Sequence, residues 1–481
     1  MAAGGSYIRG MRVTLAVSLG LQLSLCLSAC TDPIVGGDPD AGADSVVLTD
    51  SGDDGEIVVG DAALDLTATI AEKVHTVVVV EWRTEEETTG YVQFGPGVEY
   101  TDETVVTATG TVHRTFLLGT PPDTEVHFRV VVRTAEGLVA STDHTITTQS
   151  LPSGFPTFTV NGDLGGRWRY MVMPTQGTAA VVPIVDALGR VVWYYVPVGG
   201  GNLMKAVLAH DRQHVILGFA GNQGELETSR VLWISLDGAD VQELAVPYFD
   251  HDLTELPNGD LACIVVDERD KNGQPWSADK IVEVTPAGEM TTIWNAWDAF
   301  DPVELGLDQQ GNWTHANGIE YVPSEDAYYL AMKGPGTVAK IPRSTATVEW
   351  LLNGRLNQFA FLDGAVPGVL QHQFEVLGDG HLLLFDNGSM DRGYSRAVEL
   401  QLDVAARTAK ELWSYSSVPP IFVFAKGDVQ RYADGATQVT WSTAGEIQMV
   451  DAAGTLLWQL NSPLGQAFTF VQPVMSFYED R

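Results

Sequence analysis

Six times between Asp186 and Trp458 the chain repeats one pattern, a turn followed by a short apolar strand, and five of the six strands end in tryptophan. The copies run from Asp186 to Trp193, from Pro286 to Trp294, from Arg343 to Trp350, from Thr408 to Trp413 and from Gly454 to Trp458, with a weaker copy over Asp237-Gly238-Ala239-Asp240-Val241. Their spacing of roughly fifty residues suits a four-stranded antiparallel blade, a unit that buries its faces only by stacking on its neighbours. Six copies therefore predict an all-β chain built around a six-bladed β-propeller at residues 155–481. The tryptophans are expected to pack blade on blade.

Between these strands lie three others that open with histidine. Asp250-His251-Asp252 precedes the turn Leu256-Pro257-Asn258-Gly259-Asp260 and an apolar return strand. Trp313-Thr314-His315-Ala316-Asn317 precedes Val322-Pro323-Ser324-Glu325-Asp326 and Tyr328-Tyr329-Leu330. Gln371-His372 precedes Gly378-Asp379-Gly380 and Leu382-Leu383-Leu384-Phe385. Each reads as a β-hairpin. Because the innermost strands of a propeller line its channel, His251, His315 and His372 are expected to meet there. Three imidazoles from three strands admit nucleophilic and acid–base chemistry, a zinc or iron site, or plain hydrogen bonding inside a non-catalytic binding propeller. No two of them are close in sequence, so no ligand spacing favours a metal, and no cofactor is expected.

The N-terminal third has a different character. Arg9 and Arg12 precede an apolar run from Val13 to Leu27, too short to remain as a membrane span, and Leu27-Ser28-Ala29-Cys30 resembles a bacterial lipobox. Residues 1–30 are thus expected to be a lipoprotein signal. Lipidated Cys30 would anchor an exported protein on the periplasmic side of a membrane or at the cell surface. Residues 31–60, rich in Asp and Gly, are expected to be a tether. Residues 61–149 carry short β-rich runs that predict a small sandwich. There Trp82, Tyr91-Val92-Gln93-Phe94-Gly95 and Pro121-Pro122-Asp123-Thr124-Glu125-Val126 resemble a fibronectin type III domain. With a net charge of −35, neither nucleic acid nor an anionic membrane surface is an expected partner. Cys263 lies in an apolar strand and reads as a small buried hydrophobe.

From about Arg169 to the end, the Trp313–Tyr321 and Gln371–His372 stretches, the Leu382–Gly388 return, His251-Asp252 before Leu256-Pro257-Asn258-Gly259, and Ser395-Arg396-Ala397-Val398-Glu399 together resemble the bacterial arylsulfate sulfotransferase family. The resemblance implies a six-bladed propeller that moves a sulfuryl group from a phenolic sulfate ester to a phenol, by a ping-pong route and without a nucleotide donor. His372 matches the histidine that becomes transiently sulfated. His251 and His315 match the two that contact the sulfuryl oxygens. The arginine that the family places after the middle histidine falls on Lys333, which keeps the charge and loses the planar fork. Arg396 is a candidate to supply the missing fork. Asp252 and Asn317 read as supporting residues, and Asn387, before Gly388, as a turn residue. The implied partners are small phenolic molecules; oligomeric state is not fixed.

Overall fold

The turn-plus-tryptophan repeat is the outer hairpin of each blade. The structure is a computed structural model that describes residues 57–177, 180–222, 224–271, 273–307, 311–364, 367–368 and 371–478. The expected leader, Cys30 and most of the expected tether lie outside these residues. Four antiparallel strands, ordered from the axle outward, make each blade. Blade 2 is Asn202–Leu208, His214–Ala220, Arg230–Ser235 and Val241–Ala245; blade 3 is Phe249–Glu255, Leu261–Lys271, Gln274–Val284 and Met290–Asn295. Blade 4 is Ala316–Val322, Ala327–Met332, Thr337–Pro342 and Trp350–Leu352; blade 5 is Gln371–Gly378, His381–Asp386, Arg396–Asp403 and Thr408–Tyr415. Blade 6 is Asp428–Arg431, Thr437–Trp441, Glu446–Val450 and Leu456–Asn461, widened by Thr159–Gly162 at its outer edge.

Blade 1 closes the ring. Its inner strand, Gln472–Val474, comes from the far end of the chain and pairs with Tyr170–Val172, while Val182–Asp186 and Val191–Tyr195 complete the sheet. The tryptophans then fasten one blade to the next. The Trp193 indole donates to Leu236 O on blade 2 at 2.7 Å, Trp413 to Ala452 O on blade 6 at 3.0 Å, and Trp458 to Ala187 O on blade 1 at 3.1 Å. Each bond satisfies an indole N–H, fully buried at Trp193 and more exposed at Trp413, while the ring fills the space between sheets, a contribution of about 0.5–1.5 kcal/mol beyond the burial itself.

At the axle, side chains of one inner strand reach the next. Asp252 on blade 3 meets Lys205 Nζ of blade 2 at 2.9 Å and accepts from Ile319 N of blade 4 at 3.0 Å. Glu320 accepts from Val376 N of blade 5 at 3.0 Å, and Glu375 from Arg431 N of blade 6 at 2.6 Å. Asp428 accepts from Val471 N, entering blade 1, at 3.2 Å, and Gln472 accepts from Leu208 N of blade 2 at 2.7 Å. These links circle the axle and line a cavity of about 270 Å³.

The N-terminal unit is organised by Val78–Gly95, one strand of 18 residues where the sequence pattern suggests only short runs. Its first half pairs with Leu64–Ile70 and Gly110–Leu117, and its second half with Glu125–Thr134. Ile57–Val59, at the end of the expected tether, runs parallel to Gly137–Ala140. Ala71, Val74, Val77, Val79 and Leu118 share a core with Trp168, Tyr170 and Trp193 of the propeller. Tyr478 Oη donates to Phe116 O and accepts from Leu118 N, both at 2.9 Å, and Arg114 pairs with Asp237 at 2.7 Å. The Asp237 turn lies at the end of blade 2 opposite the histidine end of the ring.

Candidate active site

His251 and His372 sit where an inner strand breaks register, and His315 immediately precedes a strand that breaks register at its start. The pairing of Phe249–Glu255 slips between Phe249 and Leu253, that of Ala316–Val322 between Ala316 and Gly318, and that of Gln371–Gly378 between Gln371 and Phe374. A bulge adds backbone without a partner and re-aims the side chains beside it. His251 and His315 accordingly take left-handed backbone, with φ of +62° and +44°, a conformation that few residues other than glycine adopt without cost. Three adjacent blades thus present an imidazole at one end of the axle. The His251 and His315 rings lie 4.7 Å apart between centroids.

His372 is the most buried of the three, at 5% exposure. Its Nδ1 lies 2.7 Å from Asn387 Oδ1. The Asn387 amide nitrogen donates to Val423 O at 2.8 Å and Lys426 O at 2.7 Å, so only its oxygen faces the ring. The bond to His372 therefore runs from Nδ1–H to Oδ1. This fixes the tautomer and leaves Nε2 with its lone pair and no protein partner among the described residues. Asn387, which reads as a turn residue in the sequence, is thus a direct partner of His372. Burial, only partly offset by that bond, and then the charges of His251, Lys333 and His315 push the His372 pKa down to about 3. The ring is neutral at physiological pH.

The other two histidines differ in charge. Burial opposes the protonated form of His251, but Asp250, 3.0 Å from Nδ1, and Asp279 outweigh it and raise its pKa. The Nδ1 to Asp250 contact is an ion contact. Burial and the charges of His251 and Lys333 push His315 down to about 3. Lys333 N donates to His315 O at 3.0 Å, its side chain is half-buried, and it has no ion-pair partner among the described residues. One imidazole shifted toward its protonated form, two neutral imidazoles and a lysine without an ion-pair partner among the described residues therefore share the site.

Asp279 supports this arrangement from blade 3, and nothing in the sequence singles it out. Its carboxylate accepts from Thr314 Oγ1 at 2.5 Å and Ala316 N at 2.6 Å, bracketing His315, and burial pushes its pKa up to about 6. Asp252 ties the inner strands together, accepting also from Gln373 Nε2 at 2.7 Å. Asn317 donates to Gln371 O at 3.1 Å, beside His372. Arg396 does not turn to the histidines: its guanidinium holds Asp386 at 3.0 Å and Glu411 at 3.2 Å. Cys263 is fully buried in blade 3. His381 is half-buried and bonds Glu399 at 2.8 Å, away from the three histidines. Among the described residues no three His, Cys, Asp or Glu side chains form a group able to hold a metal ion.

Among solved structures, a protein of unknown function from Bacteroides caccae is 14% identical, with a TM-score of 0.44 over 64% of this chain and 100% of its own. TolB from Acinetobacter baumannii is 10% identical, with a TM-score of 0.41 over 74% of this chain and 81% of its own. A streptogramin B lyase is 15% identical, with a TM-score of 0.37 over 63% and 86%. At that distance they say nothing of the site. No curated protein matches the chain. The sequence model of the arylsulfotransferase (ASST) family matches residues 169–445, more than half of the chain and all three histidine-led strands. The chain belongs to the arylsulfotransferase family.

Proposed function

We propose that the protein moves a sulfuryl group from a phenolic sulfate ester to a phenol through a sulfohistidine on His372. One observation carries this reading: Asn387 Oδ1 accepts a hydrogen bond from Nδ1–H of a neutral, buried His372 and so leaves Nε2 as a lone-pair nucleophile beside His251 and Lys333. Sulfuryl transfer needs an in-line nucleophile and positive groups at the three outer oxygens of the group in flight. Nε2 attacks sulfur, the S–O bond to the aryl group breaks, and the electron pair leaves on the phenolic oxygen. Because Nδ1 keeps its proton, the sulfated ring is cationic and departs as neutral imidazole when a phenol attacks. His251, held protonated by its carboxylates, and Lys333 supply the positive edges. His315, neutral, offers a hydrogen bond and limits the space beside sulfur.

The test is a nitrophenyl sulfate with a panel of phenols. Wild type is expected to release nitrophenol in an acceptor-dependent way, and donor alone should leave one acid-labile sulfuryl group on His372, detected by mass spectrometry. His372→Ala should lower the rate by at least about a thousandfold. If wild type releases no nitrophenol above the variant with any acceptor, the reading fails. We further infer that the chain is exported and anchored through Cys30. Cys30→Ser should then move it from the detergent phase to the aqueous phase, and unchanged partitioning refutes the anchor.

A further inference from the structure

Granted the transferase reading, on which this step rests, a phenolic proton moves twice: onto the departing donor and off the arriving acceptor. The site histidines are poorly suited to carry it. His315 and His372 are weak bases with pKa values near 3, and protonated His251 is held by Asp250.

The histidine end of the ring has a second half. His251, His315 and His372 belong to blades 3, 4 and 5, and the connection from Tyr415 to Asp428 leads on from blade 5 to blade 6. In it, Lys426 takes left-handed backbone, with φ of +61°. Its carbonyl accepts from Asn387 Nδ2 at 2.7 Å, the same side chain that orients His372. The Lys426 side chain then reaches Thr175–Gly177, a short strand between two strands of blade 1 that pairs with Gln466–Phe468; there Nζ donates to Gln176 Oε1, and Gln176 Nε2 in turn donates to Leu203 O on the inner strand of blade 2. The side chain therefore runs from the connection into blade 6 toward the inner strand of blade 2, held by a neutral amide and paired with no carboxylate among the described residues. Burial pushes its pKa down to about 8, between neutrality and the value of roughly 10 typical of a phenol. That position suits an acid and a base in turn. Phe424, two residues earlier, is 66% exposed and offers an aromatic face in the same connection.

We propose that Lys426 is the proton carrier of the transfer. As His372 Nε2 bonds to sulfur and the S–O bond breaks, the Lys426 ammonium protonates the departing phenolate and becomes an amine. The amine then takes the proton of the acceptor phenol while its oxygen bonds to sulfur, the N–S bond breaks and the electron pair returns to Nε2. Lys426 ends as it began, protonated.

The experiment separates the two half-reactions. Nitrophenolate leaves without an acid, so Lys426→Met should keep the first burst of nitrophenol, which also shows that the variant is folded and His372 intact. Transfer to an unactivated phenol should fall by roughly a hundredfold or more, increasingly so as the acceptor's pKa rises, and the inflection of that step near the lysine's own pKa should vanish. Lys426→Arg, charged but unable to give up its proton, should be equally impaired in the second half. Recovery with Lys426→Arg assigns the residue a charge-only role and overturns the proposal, as do equal losses in both halves or no loss in either. A wild type without any nitrophenol burst refutes the underlying transferase reading instead.

Discussion

Asp250 and Lys333 set the charge of the site from opposite sides, and each can be changed alone. The carboxylates hold the His251 pKa above its ordinary value, so the protonated form persists to higher pH than a free imidazole allows. Asp250→Asn removes part of that support and lowers the pKa. The alkaline limb of kcat/KM for a sulfate donor should then move to lower pH, with little change below pH 6; an unmoved limb assigns it to another group. Lys333 stands where the family resemblance implies an arginine, and it has no ion-pair partner among the described residues. Lys333→Met is expected to cost about a hundredfold in kcat/KM for the donor, the usual result of losing one donor to a developing anion. Lys333→Arg should match or exceed wild type, since the fork can meet two oxygens at once. A Lys333→Met enzyme as active as wild type removes the residue from the sulfuryl site. Residue type and position in the repeat made the histidines legible as candidates, and the family resemblance pointed to Lys333. They did not reveal that Arg396 is already committed to Asp386 and Glu411, because strand neighbours across a sheet leave no mark in the order of the chain.

The elements show where the local reading stops. Alternation and turn chemistry mark the strands, and the tryptophan spacing marks the blades, because both follow from near-neighbour geometry. The bulges that aim His251, His315 and His372 depend on register between two strands, and no local composition announces them. Asp279 was invisible for the same reason: its carboxylate acts on Thr314 and Ala316, across a blade boundary. Val78–Gly95 reads as two strands because the polar run Thr84–Thr88 interrupts its pattern, yet the backbone stays extended while changing partners. The connection after Lys333 permits a direct test. A Cβ at Gly334 would stand 2.0 Å from Trp313 O, against the backbone that leads into His315. Gly334→Ala should destabilise the fold by about 1–3 kcal/mol and lower sulfuryl transfer by more than the loss of folded protein explains. Unchanged kcat in the folded fraction means the bulge tolerates the displacement.

For the whole ring, the polar links around the axle couple stability to pH. Burial pushes Glu320 up to about 8 and Glu375 up to about 7, although each accepts a backbone N–H from the next blade. An acid whose pKa is higher in the fold than in the unfolded chain binds its proton more strongly when folded, so stability falls as pH rises through the interval between the two values. For both glutamates that interval begins near the ordinary 4.5. His315 and His372 act in the opposite direction: their lowered values make stability rise with pH, but only until an unfolded imidazole is neutral, near 6.5. Between about pH 6.5 and 8 the glutamates remain, reinforced by His251, whose raised value has the same sign. Above that range Lys426, lowered from 10.5 to about 8, begins to favour the fold again. The unfolding midpoint should therefore drop by a few degrees from pH 6.5 to pH 8. Glu320→Gln with Glu375→Gln keeps an acceptor for each N–H and removes both titrations, so at least half of that drop should disappear, with higher stability at pH 8 than wild type. Equal slopes in the two proteins would place the pH dependence away from the axle, and a lower midpoint for the variant at both pH values would mean that the carboxyl groups serve chiefly through bonds an amide does not replace.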